Sequence, residues 1–365
     1  MRCTGPERRR KAAAARAQEG YTPREWERLN RRDEEEKRRQ IRLGLMAAAL
    51  LALVIALAYL AYYVLIRSHD YDLGVLYDKN SSTFGVSAYA MTDTAEGFAA
   101  NLCVTDTDVN AGAVDLSALS AGLFDLTNLE VVYADDLFTT RSMASLTKVM
   151  TALVALKYGN MSDTVTVTDT VYDIEYGSSV CDIREGDRLT LKQLLYGMLI
   201  ASGNDAAMMI AEYIGGSVDG FVEMMNEEAL AIGCTRSHFM NPHGLTAEGH
   251  YSCAYDLYLM FQEALKYDMF EDIISRSNYY AEYTNAEGTA TAVTWESTNH
   301  YFTGEAETPD DLIIYGGKTG TTDDAGACLI LRVKDLYGNP YTAVLLHSDD
   351  KNVLYEDMNE LLSLL

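Results

Sequence analysis

Residues Gly186 to Gly216 read GDRLTLKQLLYGMLIASGNDAAMMIAEYIGG. Two apolar runs flank a polar break. Leu191–Ala201 follows Thr190, a favourable helix cap, and Asp205–Ile214 runs into the stop Gly215-Gly216. Between them Ser202-Gly203-Asn204 ends one helix and starts the next. Working outward, Ser145–Lys157 carries a helical pattern that stops at Gly159, and Val218–Ile232 is capped by Ser217 and stopped by Gly233. Toward both ends the period changes. Leu123–Tyr133 (LFDLTNLEVVY) reads as a hairpin around Thr127-Asn128. Leu312–Tyr315, Ala327–Val333 and Tyr341–His347 are short strand-like runs between Gly, Asn and Pro turns, and Val353–Leu365 is a closing amphipathic helix. Strands at both ends with helices between predict an α/β (α+β) architecture: a mixed, mainly antiparallel sheet with flanking helices and a helical subdomain.

Charge divides the 365-residue chain, whose net charge is -25. Residues 1–42 hold 14 Lys and Arg against 8 Asp and Glu, whereas residues 67–365 hold 15 against 46. So acidic a body excludes nucleic acid as a partner, since phosphate binding needs clustered Lys and Arg. Between tail and body, Leu43 to Ile66 is a run of 24 uncharged residues, about 36 Å long as a helix. That exceeds a hydrocarbon core of about 30 Å and predicts a transmembrane helix. Tyr59, Tyr62 and Tyr63 suit its far interface. The basic flank on the N-terminal side predicts a cell-membrane protein with a cytoplasmic N-terminus and the rest outside. A cleaved signal peptide is the alternative, with Ala56-Leu57-Ala58 as its small-residue site, but the apolar run is longer than a signal core of about 7–15 residues. The expected organisation is a basic tail over 1–42, a membrane helix over 43–66, a spacer and domain edge over 67–118 and a catalytic domain over 119–365. In the tail, Thr22-Pro23-Arg24-Glu25 starts a charged helix supported by Glu34–Arg38 and Glu35–Arg39 pairs.

Three short motifs carry the chemistry: Ser145-Leu146-Thr147-Lys148, Ser202-Gly203-Asn204 and Lys318-Thr319-Gly320. Each alone arises easily by chance. On a helix, Ser145 and Lys148 share a face one turn apart, so the amine reaches the hydroxyl. A serine becomes a nucleophile when a base takes its proton, and an amine does so only when neutral. Free lysine titrates near 10.4, so a base working near neutrality needs a fall of about three pH units. Burial, a helix N-terminus and a second cation, for which Lys318 stands ready, all act in that direction. Ser202 and Asn204 offer a hydroxyl and an amide that can relay a proton and hold a peptide backbone, although the same residues also make an ordinary helix stop and cap. No C-x-x-C, H-E-x-x-H or His/Cys ligand spacing occurs, so neither metal nor organic cofactor is expected. Cys103, Cys181, Cys234, Cys253 and Cys328 follow the span, an odd number with no evident pairing. Met208, Met209, Met224 and Met225 are expected in the core.

The ordered set resembles that of penicillin-binding proteins and class A β-lactamases. With ASLTKVMTALVAL, the Gly186–Gly216 stretch, Asn241-Pro242-His243-Gly244-Leu245 and GGKTGTTDDAGACLI, residues 120–350 resemble the serine-type D-alanyl-D-alanine carboxypeptidases, the low-molecular-mass penicillin-binding proteins. The resemblance implies a β-lactamase/transpeptidase-like fold and a DD-peptidase acting on the peptidoglycan stem peptide. Ser145 would be the nucleophile, with Lys148 and Ser202 as its catalytic partners and Asn204 against the substrate. Lys318 and Thr319 would receive the substrate's terminal carboxylate, Gly320 would admit its backbone, and the N–H groups of Ser145 and Thr321 would form the oxyanion hole. β-Lactam antibiotics would be covalent inhibitors. The segment around His243 is family-like but receives no chemical role. Rival readings are a β-lactamase, for which the E-x-x-L-N signature is missing between Asn204 and Lys318, a DD-endopeptidase or transpeptidase on the same scaffold, and a non-catalytic wall-binding sensor.

Overall fold

The computed structural model describes residue 99 and residues 101–365. The expected tail, membrane helix and first part of the spacer lie outside the described residues. Among the described residues no helix is long and apolar enough to cross a membrane.

The main sheet has the strand order β2-β1-β9-β8-β7 and is antiparallel throughout. Its strands are β1 (Ser120–Asp125), β2 (Glu130–Asp135), β7 (Leu312–Thr322), β8 (Gly326–Asp335) and β9 (Pro340–Ser348). The first two form the hairpin expected around Thr127-Asn128. Its turn is tied by the Asp125 carboxylate, which accepts from the Thr127 and Asn128 backbone N–H groups. Strand periodicity divides the apolar residues between two faces. Leu123, Leu329, Leu331 and Leu345 pack with Leu354, Met358 and Leu361 of the closing helix. Phe124, Ile330, Val344 and Leu346 face the larger core under the remaining helices. The sheet is therefore buried on both sides, and each fully buried Leu or Ile contributes about 1.5–3 kcal/mol relative to exposure.

That larger core surrounds α1 (Thr147–Tyr158), whose residues from Thr147 to Ala155 are all buried. A helix buried all round must send any polar side chain to a partner, which places Lys148 at once. Around it lie α2 (Leu191–Ile200), α3 (Asn204–Gly215), α4 (Val218–Ala231), α5 (Ala254–Ala264) and α6 (Asp268–Ile274). Thr190 caps α2 in a reciprocal box with Gln193, and Ser217 caps α4 by accepting from Gly220 N–H. Gly216 ends α3 at φ +70°. Met208, Met209 and Met225 are buried and Met224 packs against the core.

Two parts of the architecture were not foreseen from the sequence. Helices α5 and α6 occupy a stretch for which no element was expected. A second antiparallel sheet, ordered β3-β4-β5-β6, is built from β3 (Thr164–Thr166), β4 (Arg188–Thr190), β5 (Asn278–Thr284) and β6 (Ala290–Glu296). A short helix α7 (His300–Thr303) leads from it to β7, and α8 (Lys351–Leu362) closes the fold. The domain edge is tied in as well. Cys103 is buried, with its N–H donating to the Tyr258 hydroxyl, and Ser117 and Ala118 bond the Asp357 carboxylate. The five cysteines from Cys103 onward are all free and buried.

Candidate active site

Helix α1 begins two residues later than expected. Ser145 sits in a single 3-10 turn over Ala144–Leu146, and α1 starts at Thr147. The turn keeps Ser145 and Lys148 on one side while holding Ala144 at φ +46°, a left-handed conformation unusual for a residue with a Cβ. Two features hold it. The Thr147 hydroxyl donates to Ala144 O at 2.8 Å and lies 2.8 Å from His250 Nε2. Gly244, at φ +96°, lies so close that a Cβ there would come within 2.0 Å of Ala144 O.

Lys148 is fully buried. Its Nζ lies 2.9 Å from Ser145 Oγ, 2.7 Å from Asn204 Oδ1 and 2.7 Å from the His243 carbonyl oxygen. Burial pushes its pKa well below the free-lysine value, and the Lys318 charge adds to the fall, against smaller opposing contributions from Cys181 and Asp205. A neutral amine has two N–H donors and one lone pair. Two of its neighbours here are carbonyl oxygens that can only accept, so they take the two N–H groups. The lone pair is left for the Ser145 hydroxyl proton.

The other half of the site pairs two residues 116 apart in sequence: Lys318 Nζ, also buried, lies 3.0 Å from Ser202 Oγ and 2.8 Å from Thr319 O. Burial pulls Lys318 down to about 7. Its ammonium therefore faces inward to Ser202, and the surface left toward the cleft is that of Thr319, whose hydroxyl is 2.6 Å from the Thr298 hydroxyl. Gly320 runs against the nucleophile turn: a Cβ there would lie 2.9 Å from Ser145 N and 3.0 Å from Met143 O. Ser202 stands at φ +59° in the break between α2 and α3, and Asn204 opens α3. The break is clamped from outside. Asn204 N–H donates to Ser179 O at 2.8 Å, and the buried Asp205 carboxylate accepts from the N–H groups of Cys181 and Ile183. Ser145, Ser202, Thr319, Gly320 and Thr321 line one cleft with Ser179, Thr298 and His300.

All eight residues singled out from the sequence thus lie in or directly behind this cleft. Sequence reasoning missed the His243 carbonyl, which holds the base, and His250, which braces the turn beneath the nucleophile. A backbone carbonyl has no residue-type signature; the Asn-Pro-His-Gly run marked the place without revealing the role. Chemically, the arrangement offers a hydroxyl nucleophile beside a buried neutral amine, with a second amine–hydroxyl pair opposite. That is the equipment for acyl transfer through a covalent serine ester.

Comparison with known proteins identifies the family. The family model described as D-alanyl-D-alanine carboxypeptidase, Peptidase S11, matches residues 106–349. The D-alanyl-D-alanine carboxypeptidase DacF of Bacillus subtilis (strain 168) is 35% identical over 223 residues, 60% of this chain and 54% of that protein. DacA of Escherichia coli (strain K12) is 32% identical over 228 residues, 60% and 53% of the respective chains. The chain thus spans about half the length of these curated relatives. Among solved structures, the Streptomyces K15 DD-transpeptidase is similar with a TM-score of 0.64 at 26% identity, over 68% of this chain and 97% of that one.

Proposed function

Because this chain belongs to the D-alanyl-D-alanine carboxypeptidase family, we propose that it removes the terminal D-alanine from peptidoglycan stem pentapeptides through an acyl-enzyme on Ser145. The observation that carries this reading is the 2.9 Å approach of Lys148 Nζ to Ser145 Oγ, with both N–H groups of the neutral amine committed to Asn204 Oδ1 and His243 O.

The Ser145 hydroxyl gives its proton to Lys148 as Oγ attacks the carbonyl of the penultimate D-alanine. The Ser145 and Thr321 N–H groups stabilise the oxyanion. The proton on Lys148 passes through the Ser202 hydroxyl, backed by Lys318, to the leaving amine, so D-alanine departs and Lys148 is neutral again. Water then attacks the ester, Lys148 takes its proton and returns it to Ser145 Oγ, which leaves as the hydroxyl. Thr319, with the Lys318 charge behind it, receives the terminal carboxylate, and Gly320 lets the peptide backbone lie against the strand. A β-lactam enters the same path because its strained amide mimics the scissile bond, and its leaving group stays tethered.

Intact-mass analysis of the full chain after penicillin treatment tests this reading. One adduct, mapped to Ser145 and missing from Ser145→Ala, together with D-alanine release from a pentapeptide, is the expected result. Equal labelling of both proteins would refute it. The likeness to a DD-transpeptidase supports a second reading in which an amine replaces water; a cross-linked product, in place of hydrolysed tetrapeptide, would establish it.

The uncharged run from Leu43 to Ile66 supports a single-pass anchor in the cell membrane with the enzyme domain outside. Protease added to intact cells should then digest residues after Arg67 and spare the tail.

A further inference from the structure

One loop separates two hollows. Ser179 lines the catalytic cleft. The residue before it, Ser178, lines a second hollow of about 650 Å³, walled by Tyr172, Tyr176, Val180, Asp182 and Arg184. The apolar side chains there are turned outward: Tyr176 is fully exposed, Tyr172 is 60% exposed and Val180 is 38% exposed. They do not belong to a slack segment. The backbone from Ser179 to Ile183 is pinned by the Asp205 carboxylate at Cys181 and Ile183, by Asn204 N–H at Ser179 O, and by Trp295 Nε1, which donates to Cys181 O at 3.1 Å, while the turn carrying Tyr176 is closed by Ser178, whose N–H and hydroxyl both donate to Glu175 O. The Tyr172 hydroxyl accepts from Glu185 N–H at 3.3 Å, which fixes that ring too. Exposed rings on a held backbone form a preorganised surface rather than an unfinished core.

The chemistry around the hollow narrows the occupant. Glu175, Asp182 and the buried Asp205 outweigh Arg184, within a body of 46 acidic against 15 basic residues, so an anionic polymer is repelled. Aromatic faces, electron-rich above the ring, suit the C–H face of a sugar, while carboxylates and a guanidinium at the rim suit its hydroxyl and amide groups. The separation also fits. From Ser179 to Tyr176 the backbone spans at most about 11 Å, and the four residues from the attacked D-alanine back to the glycan reach about 14 Å when extended.

We propose that this hollow is a subsite for the neutral amino-sugar unit from which the stem peptide hangs. The enzyme then prefers glycan-linked stems over free peptide. The inference rests on the carboxypeptidase reading above.

The test compares D-alanine release by the full chain from a disaccharide-linked pentapeptide and from the free pentapeptide. The wild type should show a ratio of kcat/KM of about ten or more in favour of the linked substrate, carried by KM. Tyr176→Ala should bring the ratio to about one. Tyr176→Phe should keep it, as should Tyr337→Ala, which removes an equally exposed ring on the far β8–β9 turn. Equal kinetics for the two substrates in the wild type, or a ratio unchanged in Tyr176→Ala, would overturn the proposal. If neither substrate is turned over, the carboxypeptidase reading fails by itself. Binding of the peptide-free disaccharide, capped as its lactyl amide and followed by tyrosine fluorescence, then decides the hollow. Saturable binding lost in Tyr176→Ala upholds the subsite, and its absence in the wild type removes it.

Discussion

His250 Nε2 donates to the Thr147 hydroxyl across 2.8 Å, and that hydroxyl donates in turn to Ala144 O. The direction follows from the other ring nitrogen: Nδ1 accepts from Met240 N–H at 3.0 Å, so the ring proton sits on Nε2. This chain braces the left-handed residue before the nucleophile. His250→Phe leaves the Thr147 hydroxyl and Met240 N–H short of a partner and should cost about 1–3 kcal/mol of stability by urea unfolding. It should also slow penicillin acylation of the folded variant at Ser145. Acylation at the wild-type rate would show that the brace does not position the nucleophile.

Lys148 has its pKa lowered by burial first and by the Lys318 charge second. Acylation should therefore fall on the acid side as Lys148 gains a proton. Lys318→Met removes the neighbouring cation, which eases protonation of Lys148. The acid limb of the acylation rate, measured with a chromogenic β-lactam, should move to higher pH. A limb that stays put or moves down would contradict the electrostatic coupling.

Acid stability follows from two histidines. Burial holds His243 down to about 3 and His250 to about 4, against about 6.5 when free. Between about pH 6.5 and 4 the unfolded chain binds protons that the folded chain refuses, so stability falls as pH falls, by up to about 2.7 kcal/mol per pH unit for the pair. Urea midpoints measured from pH 7 to pH 4 should show the loss. The His250→Phe variant should show about half of this histidine slope, and an undiminished slope would count against the assignment.

Gly244 and Gly320 both touch the nucleophile turn, but with different clearance. A Cβ at Gly244 meets Ala144 O at 2.0 Å on a backbone at φ +96°, whereas one at Gly320 meets Ser145 N at 2.9 Å. Gly244→Ala should thus lower the thermal midpoint and acylation more than Gly320→Ala. Mass-detected penicillin adduct formation beside a melting curve ranks them, and the reverse order would refute the packing argument.

The helical middle of the fold was legible because each helix carries its own punctuation, such as Thr190 with Gln193, Ser217, and the Gly215-Gly216 stop. The second sheet was not. Its strands β5 and β6 alternate tyrosine, threonine and charged residues with only Ala281 and Trp295 buried, so the period-two pattern lacked the apolar contrast that marks a strand. Helices α5 and α6 were missed for a different reason. α5 is capped by Cys253, an unusual capping residue, and α6 has only seven residues.

In the site, Ser145 and Lys148 could be paired from spacing alone, because three residues along a helical segment restore the same face whatever surrounds it. By contrast, whether Lys148 is neutral depends on burial and on Lys318 from a distant strand. Local sequence thus determined helices α1 to α4, the caps of α2 and α4, and the candidate nucleophile and base. The fold alone decided the exclusion of water, the inward turn of Lys318 toward Ser202 and the bracing by His250. Those depend on contacts between segments about a hundred residues apart, for which local spacing carries no information.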